Sequence, residues 1–567
     1  MKKLLSLISI CLLSQWVSGQ TPKWVEKAKR SVFSVITYDQ NNGILNTGNG
    51  FFVSEDGTAL SDYSLFKGAS RAVIINSDGK QMDIERILGA NEMYDVVKFR
   101  VGILSKKVPA LQVATSPSAA QADVWLLPYS TQKSVNSTHG KIKNADNASG
   151  NYVYYTLEMK LKDKMVSCPV MNTEGQVIGL VQKSAMKDTA SVCYAVDARL
   201  ADAQKITAFS VNDQALRSIG IKKMLPDTEE QALIYLFMAS SQLSSTDYLS
   251  LLTDFVESYP NSSDGYLRRA NQYLFLSKDD ASYLDKASKD LEQALKVATK
   301  KDDAEYNVAK FIYAYQLSKP ETTFGDWTFD RALEYIQSAY EHNPLPIYMQ
   351  LEGDIFFAQA NYEKAYSCYE QVNQSNLASP ASFYSAAKTK QLMKGDPKEV
   401  LSLMDSCIVR CPRPVTADVS SYLLERAQVA MECQEYRKAL GDYDDYFKSV
   451  NGEVNDLFYY YREQSALMSK QYQRALDDIR KAVELNPKEM LYRAENAALN
   501  LRVGRYDEAI TIVNEALKLD PKYGELYRIL GICQLQLKQK DKACTNFAKA
   551  KELGDPNAEA LIEKHCK

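Results

Sequence analysis

A chain of 567 residues exceeds what one hydrophobic core ordinarily serves, so at least two structural units are expected. Hydrophobic residues make up 45 % and charged residues 25 %, the balance of an ordinary soluble globular protein. Lysine plus arginine (68) nearly cancels aspartate plus glutamate (71), and with a net charge of -3 and no long basic run nothing points to a nucleic-acid partner.

In chain order, the first predicted element is an export signal over residues 1–19. Lys2 and Lys3 form a positive start, and Leu4 to Leu13 is apolar but too short to span a membrane. Val17-Ser18-Gly19 offers small residues for cleavage before Gln20. Cys11 would suit lipid attachment only after a small residue. Ile10 stands there and Cys11 lies inside the apolar stretch, so lipidation is discounted. No other segment is long and apolar enough to cross a bilayer. The mature protein is expected to be exported, periplasmic or else secreted, and the short lysine-led signal has a bacterial look.

Residues 20–207 read in strands. The β-rich runs are 31–36, 50–53, 72–75, 96–101, 124–127 and 176–181, separated by turn signals at Asp56-Gly57, Asp78-Gly79 and Glu174-Gly175. Many short strands at this spacing predict an all-β barrel or sandwich. Cys168 and Cys193 each sit in such a run and are either a disulfide across neighbouring strands or two small buried apolar residues. With ten cysteines and only His139, His342 and His565, no metal-ligand spacing emerges, and neither a metal nor a cofactor is expected.

The same region holds an ordered set of motifs. Thr47-Gly48-Asn49-Gly50-Phe51-Phe52-Val53 and Asp56-Gly57 come first, then Asp95-Val96-Val97, and then Pro169-Val170 leading to Val177-Ile178-Gly179. Over about 30–200 this resembles the trypsin-like periplasmic high-temperature-requirement proteases. Such a protease needs a serine nucleophile, a histidine base and an orienting aspartate. The resemblance places Ser64 at the histidine position, Asp95 at the aspartate and Val166 at the serine. The glycines that form the oxyanion hole are replaced by side chains from Met165 to Cys168. The resemblance therefore implies a protease fold without acyl-transfer machinery. Ser167 or Cys168 could be nominated as nucleophile by sliding the alignment, but His139, the region's one imidazole, falls away from the base position.

Residues 208–228, around Pro226, read as a linker. From 229 to the end the periodicity is helical, and the decisive signal is recurrence. Ala475, Ala509 and Ala543 are spaced 34 apart, as are Ala482, Ala516 and Ala550, and Pro487 and Pro521 close two units at that spacing. Small residues at fixed positions are what close helix contact requires, and proline stops the second helix of each unit. These positions resemble the tetratricopeptide repeat, whose period is the same. About nine helix pairs are phased from 229 to 555, with an insertion from Pro320 to Trp327. In that family the first helix of each pair lines a concave groove. By resemblance Tyr460 and Gln464 face it with Glu525 and Arg528 further along; otherwise each is a solvated surface residue.

The expected architecture is thus multidomain, an all-β trypsin-like double barrel followed by an all-α tetratricopeptide solenoid over 229–567. The expected partner is a protein or peptide. Two competing readings stand beside it. One is a hydrolase with a rebuilt site, for instance a thiol enzyme using Cys168; the other is a scaffold whose β domain is only a spacer.

Overall fold

The structure, a computed structural model, describes residues 22–103, 107–132, 137–182 and 191–566. The predicted signal at 1–19 lies outside these residues. The chain divides into two compact units, Met1–Val297 and Ala298–Lys567.

The first unit opens with a short helix α1 (Val25–Ala28) and two closed six-stranded antiparallel barrels. The first barrel contains β1 (Val32–Tyr38), β2 (Ile44–Phe52), β3 (Thr58–Ser61), β4 (Arg71–Ile75), β5 (Gln81–Asn91) and β6 (Val96–Val101), in spatial order β1-β2-β3-β6-β5-β4. The second contains β7 (Asp123–Leu126), β8 (Thr138–Ser149), β9 (Tyr152–Leu157), β10 (Pro169–Met171), β11 (Val177–Gln182) and β12 (Cys193–Asp197), in order β10-β11-β12-β9-β8-β7. The predicted turn glycines Gly57, Gly79 and Gly175 all take positive φ (90°, 78° and 77°), which a side chain would resist. Gly50 serves another need: a Cβ there would lie 2.5 Å from the Phe33 ring in the barrel core.

Two expectations are corrected here. Cys168 and Cys193 are free thiols, both buried in the second barrel. β11 runs between β10 and β12, so the two cysteines flank an intervening strand instead of facing each other on adjacent ones. Two strand spacings are about 9.5 Å, beyond the roughly 7 Å that a disulfide spans between Cα atoms. The disulfide joins Cys544 to Cys566 instead, closing the carboxyl-terminal end of the second unit.

The second correction concerns residues 208–228, which are no free linker. After α2 (Leu200–Ala203) the chain forms α3 (Gln214–Arg217), capped by Asp213, whose Oδ1 accepts from Ala215 N at 2.8 Å. Leu216, Ile219, Ile221 and Leu225 bury themselves in the core of the first barrel. Ile87 of β5 holds the strap by donating its N–H to Lys222 O and accepting from Met224 N, both at 2.8 Å. That core continues into α4 (Glu229–Ala239) and α5 (Ser245–Ser258) through Leu236, Leu252 and Phe255. Arg86 of β5 forks onto Asp254 of α5 with bonds of 2.7 and 2.8 Å. α6 (Ser263–Leu276) and α7 (Tyr283–Val297) complete the first unit.

The second unit is helical. It contains α8 (Lys301–Ser318), α9 (Phe329–His342), α10 (Pro346–Ala358), α11 (Tyr362–Asn373), α12 (Pro380–Leu392), α13 (Pro397–Arg410), α14 (Ser421–Glu432) and α15 (Tyr436–Ser449). Then follow α16 (Asp456–Met468), α17 (Tyr472–Leu485), α18 (Met490–Arg502), α19 (Tyr506–Leu519), α20 (Gly524–Gln536), α21 (Lys540–Glu552) and α22 (Ala558–His565). The six alanines that set the repeat, from Ala475 to Ala550, are all fully buried, as close helix packing demands. Trp327 of the predicted insertion is buried against Phe311 and Tyr315, so this loop belongs to the core of its repeat. No helix among the described residues is long and apolar enough to cross a membrane.

Candidate functional sites

Of the three residues assigned to a protease triad, Ser64 and Asp95 are in contact. Ser64, exposed just after β3, donates its N–H to Asp95 Oδ1 at 2.6 Å and its hydroxyl to Asp95 Oδ2 at 3.0 Å. Both carboxylate oxygens of Asp95 are thereby engaged by one serine. Val166 is half-buried on the opposing loop, and its carbonyl accepts from Asn49 Nδ2 at 2.5 Å. The same amide donates to Lys164 O at 3.0 Å, while Asn49 Oδ1 accepts from Tyr129 N at 2.9 Å. Asn49 thus latches the loop to β2. Close approach explains its glycine neighbour: a Cβ on Gly48 would stand 2.4 Å from Leu65 and 3.4 Å from the Ser167 hydroxyl.

The other nominated nucleophiles are inside the protein. Ser167 is completely buried, takes φ 63°, and donates its hydroxyl to Asp62 Oδ2 at 2.7 Å. Asp62 is itself buried with Oδ1 unpartnered, and burial, with the charge of Asp95 adding to it, pushes its carboxyl well above the usual carboxylate range. Burial likewise drives the Cys168 thiol far up and the Cys193 thiol to about 12, which suppresses thiolate at neutral pH. His139, at the start of β8, sits 3.0 Å from Asp123 and packs on the Trp125 ring at 4.8 Å, occupied on the surface of the second barrel. The Asp62–Ser167 pair and the Asn49 latch were not found from the sequence. Asn49 had a visible signal, standing between two glycines of the first motif.

In the second unit, α14 and α16 border a cavity of about 1030 Å³. Its walls are largely apolar and aromatic, with Met431, Tyr443, Leu457, Phe458 and Tyr461 among them, and both Tyr460 and Gln464 line it. Tyr460 also packs against Tyr492 of α18, the rings tilted with centres 5.3 Å apart. Gln464 Nε2 donates to Glu463 Oε2 at 2.7 Å, and burial together with the Glu495 carboxylate pushes fully buried Glu463 up to about 8. Glu525 and Arg528 line a separate, smaller cavity of about 380 Å³. There Arg528 is already bound to Glu525 at 2.5 Å and to Asp555 at 2.9 Å. The four residues that the resemblance put in one groove therefore line two separate cavities.

Comparison with known proteins agrees with this architecture. Residues 48–180 match the trypsin-like peptidase domain family and residues 497–558 match the tetratricopeptide repeat. Small glutamine-rich tetratricopeptide repeat-containing protein 2 of Mycosarcoma maydis is 34 % identical over 96 residues, which is 17 % of this chain and 27 % of that protein. DnaJ homolog subfamily C member 7 of Homo sapiens is 32 % identical over 94 residues, 17 % of this chain and 19 % of that protein. Heat shock protein STI1 of Saccharomyces cerevisiae is 31 % identical over 104 residues, 18 % of each. The chain covers only a minor part of each relative's length. Among solved structures, the Rv3671c protease of M. tuberculosis in its active form is 20 % identical, covering 36 % of this chain and 86 % of that one at a TM-score of 0.29. The chain carries a trypsin-like double barrel followed by tetratricopeptide helices.

Proposed function

We propose that the protein is an exported polypeptide-binding adaptor. Its tetratricopeptide groove holds the partner, and its trypsin-like domain does not hydrolyse it. The observation that carries this reading is the Ser64–Asp95 contact. A triad aspartate orients a histidine that takes the nucleophile's proton. Here the carboxylate is satisfied by an N–H and a hydroxyl, and a hydroxyl is no base near neutral pH. Val166, which the resemblance puts at the serine position, offers no nucleophilic atom. Ser167 and Cys168 have their reactive groups sealed in the interior, away from any substrate. The Cys544–Cys566 disulfide supports export, because such bonds persist in oxidising compartments.

The reading is tested with labelled casein. Full-length protein should release no more peptide than an Asp95→Ala variant purified in parallel. Turnover that disappears in Asp95→Ala, Ser167→Ala or Cys168→Ala would mean that the domain is a working hydrolase with a rebuilt site.

A further inference from the structure

We propose that the cavity between α14 and α16 selects a peptide segment carrying a bulky apolar side chain beside a lysine or arginine. This rests on the polypeptide-binding reading above and adds the chemistry of the partner.

The walls supply the apolar half. Leu457 and Tyr461 are 44 % and 49 % exposed at the mouth, while Tyr443 and Phe458 are buried at the base. A space of this size with aromatic walls suits anchor side chains of a peptide. The charge complement comes from the rim. Glu432 at the end of α14 and Glu453 before α16 both line the cavity and are exposed. No lysine, arginine or histidine lines it, and no ion pair among the described residues engages either glutamate.

The cations of these same helices are committed elsewhere. Arg426 binds Asp442 and Asp405, and Arg462 binds Asp478 and Asp444. The two rim carboxylates are therefore left to a ligand. Gln464 gives one Nε2 N–H to Glu463 and keeps its oxygen as an acceptor for a donor on the peptide. An acidic segment would meet two like charges, and an uncharged one would leave both glutamates unused.

The test uses full-length protein and three short fluorescent peptides that share leucine and phenylalanine positions and carry lysine, serine or glutamate between them. The lysine peptide should bind roughly fivefold or more tighter than the serine peptide, the worth of about 1 kcal/mol from exposed ion pairs, and the glutamate peptide weakest. Added salt should narrow the differences. A Glu432→Gln/Glu453→Gln variant should lose the ranking while keeping its affinity for the serine peptide, and Tyr461→Ala should weaken all three. Equal affinities, a preference for the glutamate peptide, or a ranking that survives in the double variant would overturn the inference and leave the groove reading standing. Failure of all three peptides to bind would overturn both.

Discussion

Asp62 is the residue whose situation is least comfortable. It is buried, one oxygen has no partner, and a second carboxylate lies close by. Its carboxyl in the folded protein is held above the ordinary value of 3.8, so the folded state keeps a proton that the unfolded chain gives up. Its contribution to stability is then fully present below that value and is lost as pH rises through the folded one. Asp62→Asn keeps an acceptor for the Ser167 hydroxyl and removes the charge. The variant should be more stable than the parent at neutral pH and no different below about pH 3.8, read from melting temperatures across a pH series. A variant less stable at pH 7 would show that the carboxylate is held by partners that offset its burial. The neighbouring Ser167 carries a related mark. Ser167 holds φ 63°, a left-handed backbone that favours glycine, so the loop carries local strain at this side chain.

At the scale of elements, a largely buried arginine–aspartate fork ties the first helix to the second in three of the helix pairs. Arg462 of α16 binds Asp478 of α17 at 2.6 and 2.9 Å, and Arg426 of α14 binds Asp442 of α15 in the same way. Arg269 repeats the arrangement with Asp290 between α6 and α7. Removing one partner of such a pair strands a charge in the interior, at a cost of about 3–5 kcal/mol, whereas replacing both with apolar residues is close to neutral. Arg462→Met should therefore lower the urea midpoint of the helical transition strongly, and Arg462→Met/Asp478→Leu should recover most of the loss. Equal losses in the two variants would mean that the Arg462 stem, which also lies against the Phe447 and Phe458 rings, matters more than its charge.

These forks were invisible in the sequence because charged residues on an amphipathic helix default to the solvent face. The alanine ladder was legible because small size at a fixed period has only a packing explanation. Strands with strong apolar character, such as β4, β6 and β11, were legible for the same reason. β8 was not, since Thr138–Ser149 is largely polar and its pairing with β7 and β9 comes from backbone bonds instead of hydrophobic pattern. By register three triad positions could be proposed, of which Ser64 and Asp95 are in contact. The latch by Asn49 and the Asp62–Ser167 bond could not, because they join residues more than a hundred positions apart.

At the scale of the molecule, the boundary between the β and α regions is a composition change in the sequence but not a break in the first unit. The strap 208–228 is built into the first barrel, and the same core takes in α4 and α5. A fragment ending at 228 would remove Leu236, Leu252 and Phe255 from the core that includes Leu225 and leave Arg86 without Asp254. Burial of each large apolar side chain is worth about 1.5–3 kcal/mol, so the loss exceeds what a domain of ordinary stability tolerates without strain on its fold. A fragment of 20–228 should therefore melt well below one of 20–297 and bind a hydrophobic dye at room temperature, while 20–297 should behave as a folded protein. The Arg86–Asp254 fork gives an internal control. Asp254→Ala within 20–297 should lower its melting temperature in the same direction by a smaller amount, since it removes the pairings with Arg86 and Lys222 and leaves the apolar surfaces joined. Equal melting of 20–228 and 20–297 would show that the helices only rest on the barrel. The expected difference would instead mean that the first helix pair is part of the trypsin-like domain's own stability, so the domain cannot be exchanged between proteins by cutting where the periodicity changes.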